Sequence, residues 1–165
     1  MSINLSYVQI LKSPLMMELK QMIEHSGISC SGIIVELTES GYLEGTPAVR
    51  SVWNDMKKLR IQIALDDFGT GYSNLMNISN LEPDIVKLDR GFTLKALSRS
   101  YEYQLMQYVI EMVHKLNQYV CVEGVETKED LEKIKALGPD LIQGYYYSKP
   151  CSRDEFLKKF FGYSE

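Results

Sequence analysis

Asp66 and Asp67 stand side by side at the end of the apolar run IQIAL and are followed by glycines at 69 and 71. Adjacent carboxylates raise each other's pKa unless a cation offsets their charge, so a divalent ion is the economical explanation for the pair. Asn4, Glu36 and Glu123 supply further hard oxygen donors, each inside or at the end of a short apolar run. That donor set suits Mg²⁺ or Mn²⁺ better than Zn²⁺. Lys87, in the run IVKLD, would neutralise developing negative charge, and Glu123 would take a proton from water. A carboxylate bridging two metals beside such groups is the arrangement expected for phosphodiester hydrolysis by in-line water attack. His25 and His114 lie in segments of helical period, which argues against a histidine-based metal site.

Six runs of strand character have to position these residues: 2–6, 33–39, 61–67, 85–89, 119–126 and 141–148. Helical stripes lie between most of them. Leu15, Met16, Leu19, Met22 and Ile23 make one; Val49, Val52, Trp53, Met56 and Leu59 make another. Leu105, Val109, Met112, Val113 and Leu116 make a third, followed by Leu131, Ile134 and Leu137 with Gly138 and Pro139 as stop signals. Ser152 and Glu155 have capping-box spacing ahead of a last helix carrying Phe156, Leu157, Phe160 and Phe161. Segment 68–84 is the one connection without a strong helical stripe. Alternation of strand and helix means βα units and a parallel sheet, open and doubly wound or closed as a barrel.

Parity along the strands decides between these two. Successive side chains point to opposite faces, so Asn4 and Ser6 oppose Ile3 and Leu5, and Glu36 and Thr38 oppose Val35 and Leu37. Asp66 opposes Leu65; Lys87 and Asp89 oppose Val86 and Leu88; Glu123 opposes Val122; Gln143 opposes Ile142. An open sheet covered by helices on both faces would bury most of these polar groups at a cost of several kcal/mol per charge. A barrel instead turns the apolar set outward to the helices and gathers the polar set at the C-terminal mouth. The expected fold is therefore α/β, a partial (β/α)8 TIM-like barrel with about six of eight units. Any one of the polar residues alone reads as a strand-end charge that meets solvent or pairs with Lys87; six on matched parity do not. Asp67 has the wrong parity and reaches the mouth only if the strand ends there and the glycines turn the chain.

The 165 residues, 45% hydrophobic and 24% charged, are ordinary for one domain with a real core. A formal charge of -4 argues against duplex nucleic-acid binding, which needs clustered Lys and Arg, so a phosphate ligand needs metal ions. Cys30, Cys121 and Cys151 are an odd, widely spaced set that fits neither disulfides nor zinc, and a reduced, cytoplasmic setting is expected. No run approaches a membrane span and the first twelve residues lack signal-peptide character, so no membrane contact is expected from this chain; a tether elsewhere in a parent protein stays open. Trp53 reads as core and Cys121 as barrel filling.

The chain resembles the EAL family of cyclic di-GMP phosphodiesterases in NLS at 4–6, ELTES at 36–40, DDFGTGYSNL at 66–75, KLDRGF at 87–92, VEGVET at 122–127 and QGYYYSKP at 143–150. The resemblance implies opening of cyclic di-GMP to the linear dinucleotide with two Mg²⁺ or Mn²⁺ ions. It implies Asn4, Glu36 and Asp66 as ligands of one ion, and Asp66, Asp67 and Glu123 around the second. Lys87 and Glu123 are implied as catalytic, with Glu123 the general base, and Asp89, Glu126 and Gln143 as substrate-side positions. Glu39 is implied as the anchor of the loop at 67–74. Two alternatives stay open: Glu39 and Glu126 as helix caps, and Tyr145, Tyr146 and Tyr147 as packing rather than a guanine stack.

In that family the Glu-Ala-Leu motif lies upstream of Asn-x-Ser, and here Met1 precedes Asn4 by three residues. Two strand-helix units, a metal-ligating glutamate and an arginine gripping the dinucleotide are thus expected to be missing. The consequences expected are weak or absent hydrolysis by this chain and self-association, or a partner, covering the open edges at SINLS and LIQGYYYS. A phosphodiesterase portion, a non-catalytic cyclic di-GMP-binding module and an interaction module are the readings this leaves.

Overall fold

The computed structural model describes residues 1–12, 14–38, 47–70, 78 and 81–162. Six parallel strands form one sheet in chain order: β1 Ser2–Leu5, β2 Ile34–Thr38, β3 Gln62–Phe68, β4 Ile85–Leu88, β5 Tyr119–Glu123 and β6 Leu141–Gln143. Among the described residues the helices are α1 Tyr7–Lys12, α2 Leu15–Ser26, α3 Pro47–Lys58, α4 Arg90–Ser98, α5 Ser100–Lys115, α6 Lys128–Lys135 and α7 Arg153–Phe161. Among the described residues each strand pairs with its sequence neighbour, and β1 and β6 each have one neighbour there, leaving both edges of this sheet open. Yet Ser2 of β1 and Leu141 and Gln143 of β6 line the same cavity of about 90 Å³ on the inner face. The sheet is therefore curled into a half-barrel, as right-handed twist between successive parallel strands requires.

The two faces differ as parity demands. Val35, Leu37, Ile63, Leu65, Val86, Leu88, Val120 and Val122 join the main core under the helices, with Trp53 and Met56 of α3 and Met106, Ile110 and Val113 of α5. The inner face carries a much smaller apolar layer, Ile34, Ala64, Ile85 and Cys121. Register places the polar set one step further along each strand: Asn4 beside Glu36, Lys87 beside Cys121 and Glu123 beside Gln143.

Several expected boundaries move. Strand β5 stops at Glu123 because Gly124 takes φ +81°, and β6 stops at Gln143, so Tyr145, Tyr146 and Tyr147 lie in an exposed turn rather than a strand. Tyr146 N–H donates to the Val125 carbonyl and Tyr147 N–H to that of Gly144, which bends the chain away from the sheet. Helix α4 has no apolar stripe broad enough to read in advance; its signal is Asp89, whose side chain caps it by accepting from Gly91 N–H at 2.7 Å. The last two helices start with the capping boxes Thr127–Asp130 and Ser152–Glu155, the second as expected from spacing.

A repeated Pro-Asp before β4 and β6 sets the opposite rim. Asp84 accepts from Ile63 N–H at 2.8 Å and Asp140 from Val120 N–H at 2.8 Å, each tying its strand to an earlier neighbour. The Asp140 Oδ2 atom also meets His114 Nε2 of α5 at 2.8 Å. Burial pushes the Asp140 carboxyl up, but the Val120 amide and His114 outweigh it and hold it below the usual carboxylate range. A depressed carboxylate stabilises the fold above its unfolded pKa and loses that contribution as pH falls through the native value. Asp140→Ala should therefore lower urea-melt stability by about 1–2 kcal/mol at neutral pH. The gap to wild type should close as the pH falls below about 4.

Candidate active site

Lys87 stands mid-sheet on β4 with its side chain on the inner face, and its whole residue is only 5% exposed. A lone buried ammonium would lose its proton or unfold the site, so it needs anionic partners. Three strands supply them: Lys87 Nζ lies 2.8 Å from Glu36 Oε2 on β2, 2.9 Å from Asp66 Oδ1 on β3 and 2.7 Å from Glu123 Oε1 on β5. Burial pulls the Lys87 pKa down, but hydrogen bonds to Glu123, Glu36 and Asp66 more than offset it and hold the ammonium above the ordinary lysine range. Burial raises the Glu123 pKa; Lys87 pulls it back, while Asp66 and Glu36 add to the rise. The Glu36 Oε1 atom accepts from Ser2 Oγ, which links edge strand β1 to the cluster.

Asp67 reaches the mouth by a route different from the expected one. Strand β3 does not end at the aspartates; it runs to Phe68 through a bulge, Leu65 pairing with Val86 and Phe68 with Leu88. Asp67 itself takes the left-handed conformation at φ 60°, and its N–H donates to Asp66 Oδ1 at 3.0 Å. The extra residue lets Phe68 return to the core while both carboxylates stay at the strand end. Burial, then Asp66 and Asp89, raise the Asp67 pKa, and Lys87 lowers it, which places Asp67 in the field of the cluster.

Beyond β5 and β6 the mouth opens into a cavity of about 380 Å³ lined by Arg90, Glu123, Gly124, Glu126, Gln143, Gly144 and Tyr145. Glu126 is not a helix cap here. Its Oε1 accepts from Arg90 Nη2 at 2.6 Å and Nε at 3.1 Å, so the two form one wall. Gly124 lets that wall form, because a Cβ there would sit 2.3 Å from Arg90 Cγ. Gly144 lets the β6 turn close against β5: a Cβ would fall 2.0 Å from the Val125 carbonyl oxygen. Gln143 faces the same cavity, level with Glu123. Cys121 sits below the cluster, 6% exposed, and burial followed by Glu123 pushes its thiol up to about 12, so it fills space.

Glu36, Asp66, Lys87 and Glu123 are thus brought together, with Asn4 level with Glu36 at the sheet edge and Asp67 beside Asp66. Asp89 caps α4 and is near enough to raise the Asp67 pKa, and Glu39 lies outside the described residues. Arg90 and Ser2 were not among the expected site residues, although Arg90 lies in KLDRGF and Ser2 in SINLS. Among the described residues no three His, Cys, Asp or Glu side chains are already arranged to hold a metal ion. The carboxylates of Glu36, Asp66 and Glu123 converge on Lys87, which shares their inward parity. The chemistry of the donors still fits a hard divalent ion, since all are carboxylate or amide oxygens on one rim.

Comparison with known proteins matches residues 1–150 to the EAL domain model. The chain belongs to the EAL domain family. It is 32% identical over 149 residues to the cyclic di-GMP phosphodiesterase PdeF of Escherichia coli, covering 90% of this chain and 20% of that protein. The fold superposes with a TM-score of 0.90 on the EAL enzyme Bd1971 in its cAMP and cyclic-di-GMP bound form, at 32% identity, over 96% of this chain and 42% of that one. Klebsiella pneumoniae BlrP1 in its manganese/cy-diGMP and calcium/cy-diGMP complexes gives 0.85 at 26% identity, over 91% and 38%. The chain spans about a fifth of the length of the curated relatives it matches. Among the described residues no helix is long and apolar enough to cross a membrane.

Removing the ammonium should leave the buried Glu36 carboxylate and the half-buried Asp66 and Glu123 carboxylates unneutralised. Lys87→Met is expected to cost about 3–5 kcal/mol in a metal-free urea melt near pH 8. The loss should shrink as the pH falls, because burial raises the Glu123 pKa and a neutral carboxyl needs no counter-charge. Excess Mn²⁺ should restore part of it in the variant. Gly144→Ala should instead lower stability at every pH, since the clash is with backbone.

Proposed function

We propose that residues 1–165 form one incomplete EAL-type domain whose inner rim is the hydrolytic site of a cyclic di-GMP phosphodiesterase. The reaction is opening of cyclic di-GMP to the linear dinucleotide by in-line water attack, weak or absent in this chain by itself. The observation that carries the reading is the convergence of Glu36, Asp66 and Glu123 on Lys87 Nζ within 2.9 Å, at the C-terminal ends of parallel strands. Asn4, Glu36 and Asp66 would hold one Mg²⁺ or Mn²⁺ ion, and Asp66, Asp67 and Glu123 a second. When bound, such ions polarise the phosphodiester and lower the pKa of water.

The chain's own groups have separate tasks. Glu123, with its raised pKa, takes and holds the proton of the attacking water. Lys87 then offsets charge on the phosphate from 2.7 Å beyond the same carboxylate. The Arg90–Glu126 wall and the Gln143 amide offer donors and acceptors to the dinucleotide, and Tyr145 an aromatic face to guanine. Asp89 acts indirectly, by starting α4 where Arg90 must stand. The three free thiols, Cys30, Cys121 and Cys151, favour a reducing, cytoplasmic setting.

One feature supports weak turnover. Strand β1 offers the rim Asn4 and Ser2 but no carboxylate. The same feature favours a second reading, a module that binds cyclic di-GMP without cleaving it. Incubation with cyclic di-GMP and Mn²⁺, followed by chromatography, separates them when combined with calorimetry in Ca²⁺. Slow linear product that disappears in Glu123→Gln while binding persists supports the phosphodiesterase reading. Binding with no product supports the binding module. A folded chain that neither binds nor cleaves overturns both.

A further inference from the structure

The turn after β6 and helix α7 border a second cavity, of about 370 Å³, most of whose wall the mouth does not use. Tyr145, Pro150, Phe156 and Phe160 make its apolar walls, with Ser148 and Lys149 beside them. Gln143, Gly144 and Tyr145 line this cavity and the mouth alike, so the two are neighbours across one shared wall. The rings stand in the open: Tyr145, Phe156 and Phe160 are 54%, 46% and 48% exposed. Apolar side chains exposed singly are ordinary, but rings grouped around a hollow mark a binding surface.

The charges around the hollow select what it takes. Lys149 Nζ lies 5.7 Å from the centre of the Tyr145 ring, and Lys159 Nζ lies 5.2 Å from that of Phe160. Lys159 Nζ also donates to Ser148 Oγ and to the Tyr147 carbonyl, both at 3.1 Å. Among the described residues neither ammonium has a carboxylate partner, in a chain whose formal charge is -4. Glu155, at the start of α7, is already engaged by Ser152 N–H and Oγ at 2.8 and 2.9 Å. Aromatic faces stack on a flat ring, and two uncompensated ammoniums with a hydroxyl between them suit an anion. We propose that this cavity binds a purine nucleoside monophosphate, its base against Phe156 and Phe160 and its phosphate at Ser148, Lys149 and Lys159. The volume is at the small end for ligand sites and suits one mononucleotide rather than a cyclic dinucleotide. Stacking is tolerant of base identity, so adenine and guanine serve equally. The site holds whether or not the mouth hydrolyses cyclic di-GMP.

Cys151 supplies the readout, because it is an exposed thiol in the cavity wall while Cys121 is buried elsewhere. Adenosine 5′-monophosphate is the probe, since it is no guanine nucleotide and leaves the mouth to cyclic di-GMP. Iodoacetamide labelling of the full chain, read by peptide mass spectrometry, should slow at Cys151 at least about threefold with saturating nucleotide. Labelling at Cys30 should not change. Calorimetry should give a dissociation constant that rises at least about fivefold in Phe160→Ala and in Lys149→Gln. Adenosine alone and inorganic phosphate alone should each bind at least about tenfold more weakly than the nucleotide. Glu126→Gln, in the wall of the mouth, should leave the nucleotide constant unchanged. The thiol readout uses the unaltered chain, so it stays decisive even where a variant folds poorly. Equal labelling of Cys151 with and without nucleotide overturns the proposal. So does a constant indifferent to both Phe160→Ala and Lys149→Gln, or one lost in Glu126→Gln, which would place the nucleotide in the mouth. A Cys151 that is unreactive from the outset would show the cavity covered by protein, and overturns it as well.

Discussion

One ammonium group holds the functional rim together. Lys87 is drawn out of water by the curl of the sheet, and three carboxylates from three other strands compensate it at 2.7–2.9 Å. Each of those carboxylates would be costly to bury without it, and it would be costly to bury without them. The cluster spans β2, β3, β4 and β5 and, through Ser2, reaches β1. A wrong register in any of these strands would leave one charge unpaired, so the cluster reports directly on correct strand pairing.

The surrounding structure is arranged to keep that cluster at the end of the strands. Below it, Ile34, Ala64, Ile85 and Cys121 make a thin apolar floor, which keeps the ion pairs in a low-dielectric setting. Above it, the left-handed Asp67 and the tight contacts at Gly124 and Gly144 bend the chain outward into the mouth. At the far rim, Asp84 and Asp140 tie the strand starts to their neighbours, so register is set at the end remote from the chemistry. The Asp84 and Asp140 ties thus lie at the end of the sheet opposite the charged cluster.

Much of this was legible in the residues. Parity along six short runs separated the core face from the polar face, because the side-chain period of a strand is fixed by backbone geometry. Glu36, Asp66, Lys87 and Glu123 fell on one side by that rule alone, and the order of strands and helices implied a parallel sheet. Three matters were not legible. The bulge at Asp67 depends on how Phe68 regains the core, which is a packing outcome. The Arg90–Glu126 wall joins residues 36 positions apart across a glycine that has meaning only once α4 stands over it. And the distances within the cluster were not legible, since composition supplied both acids and a lysine, and only the closeness of neighbouring strands brought Lys87 within 2.9 Å of three carboxylates.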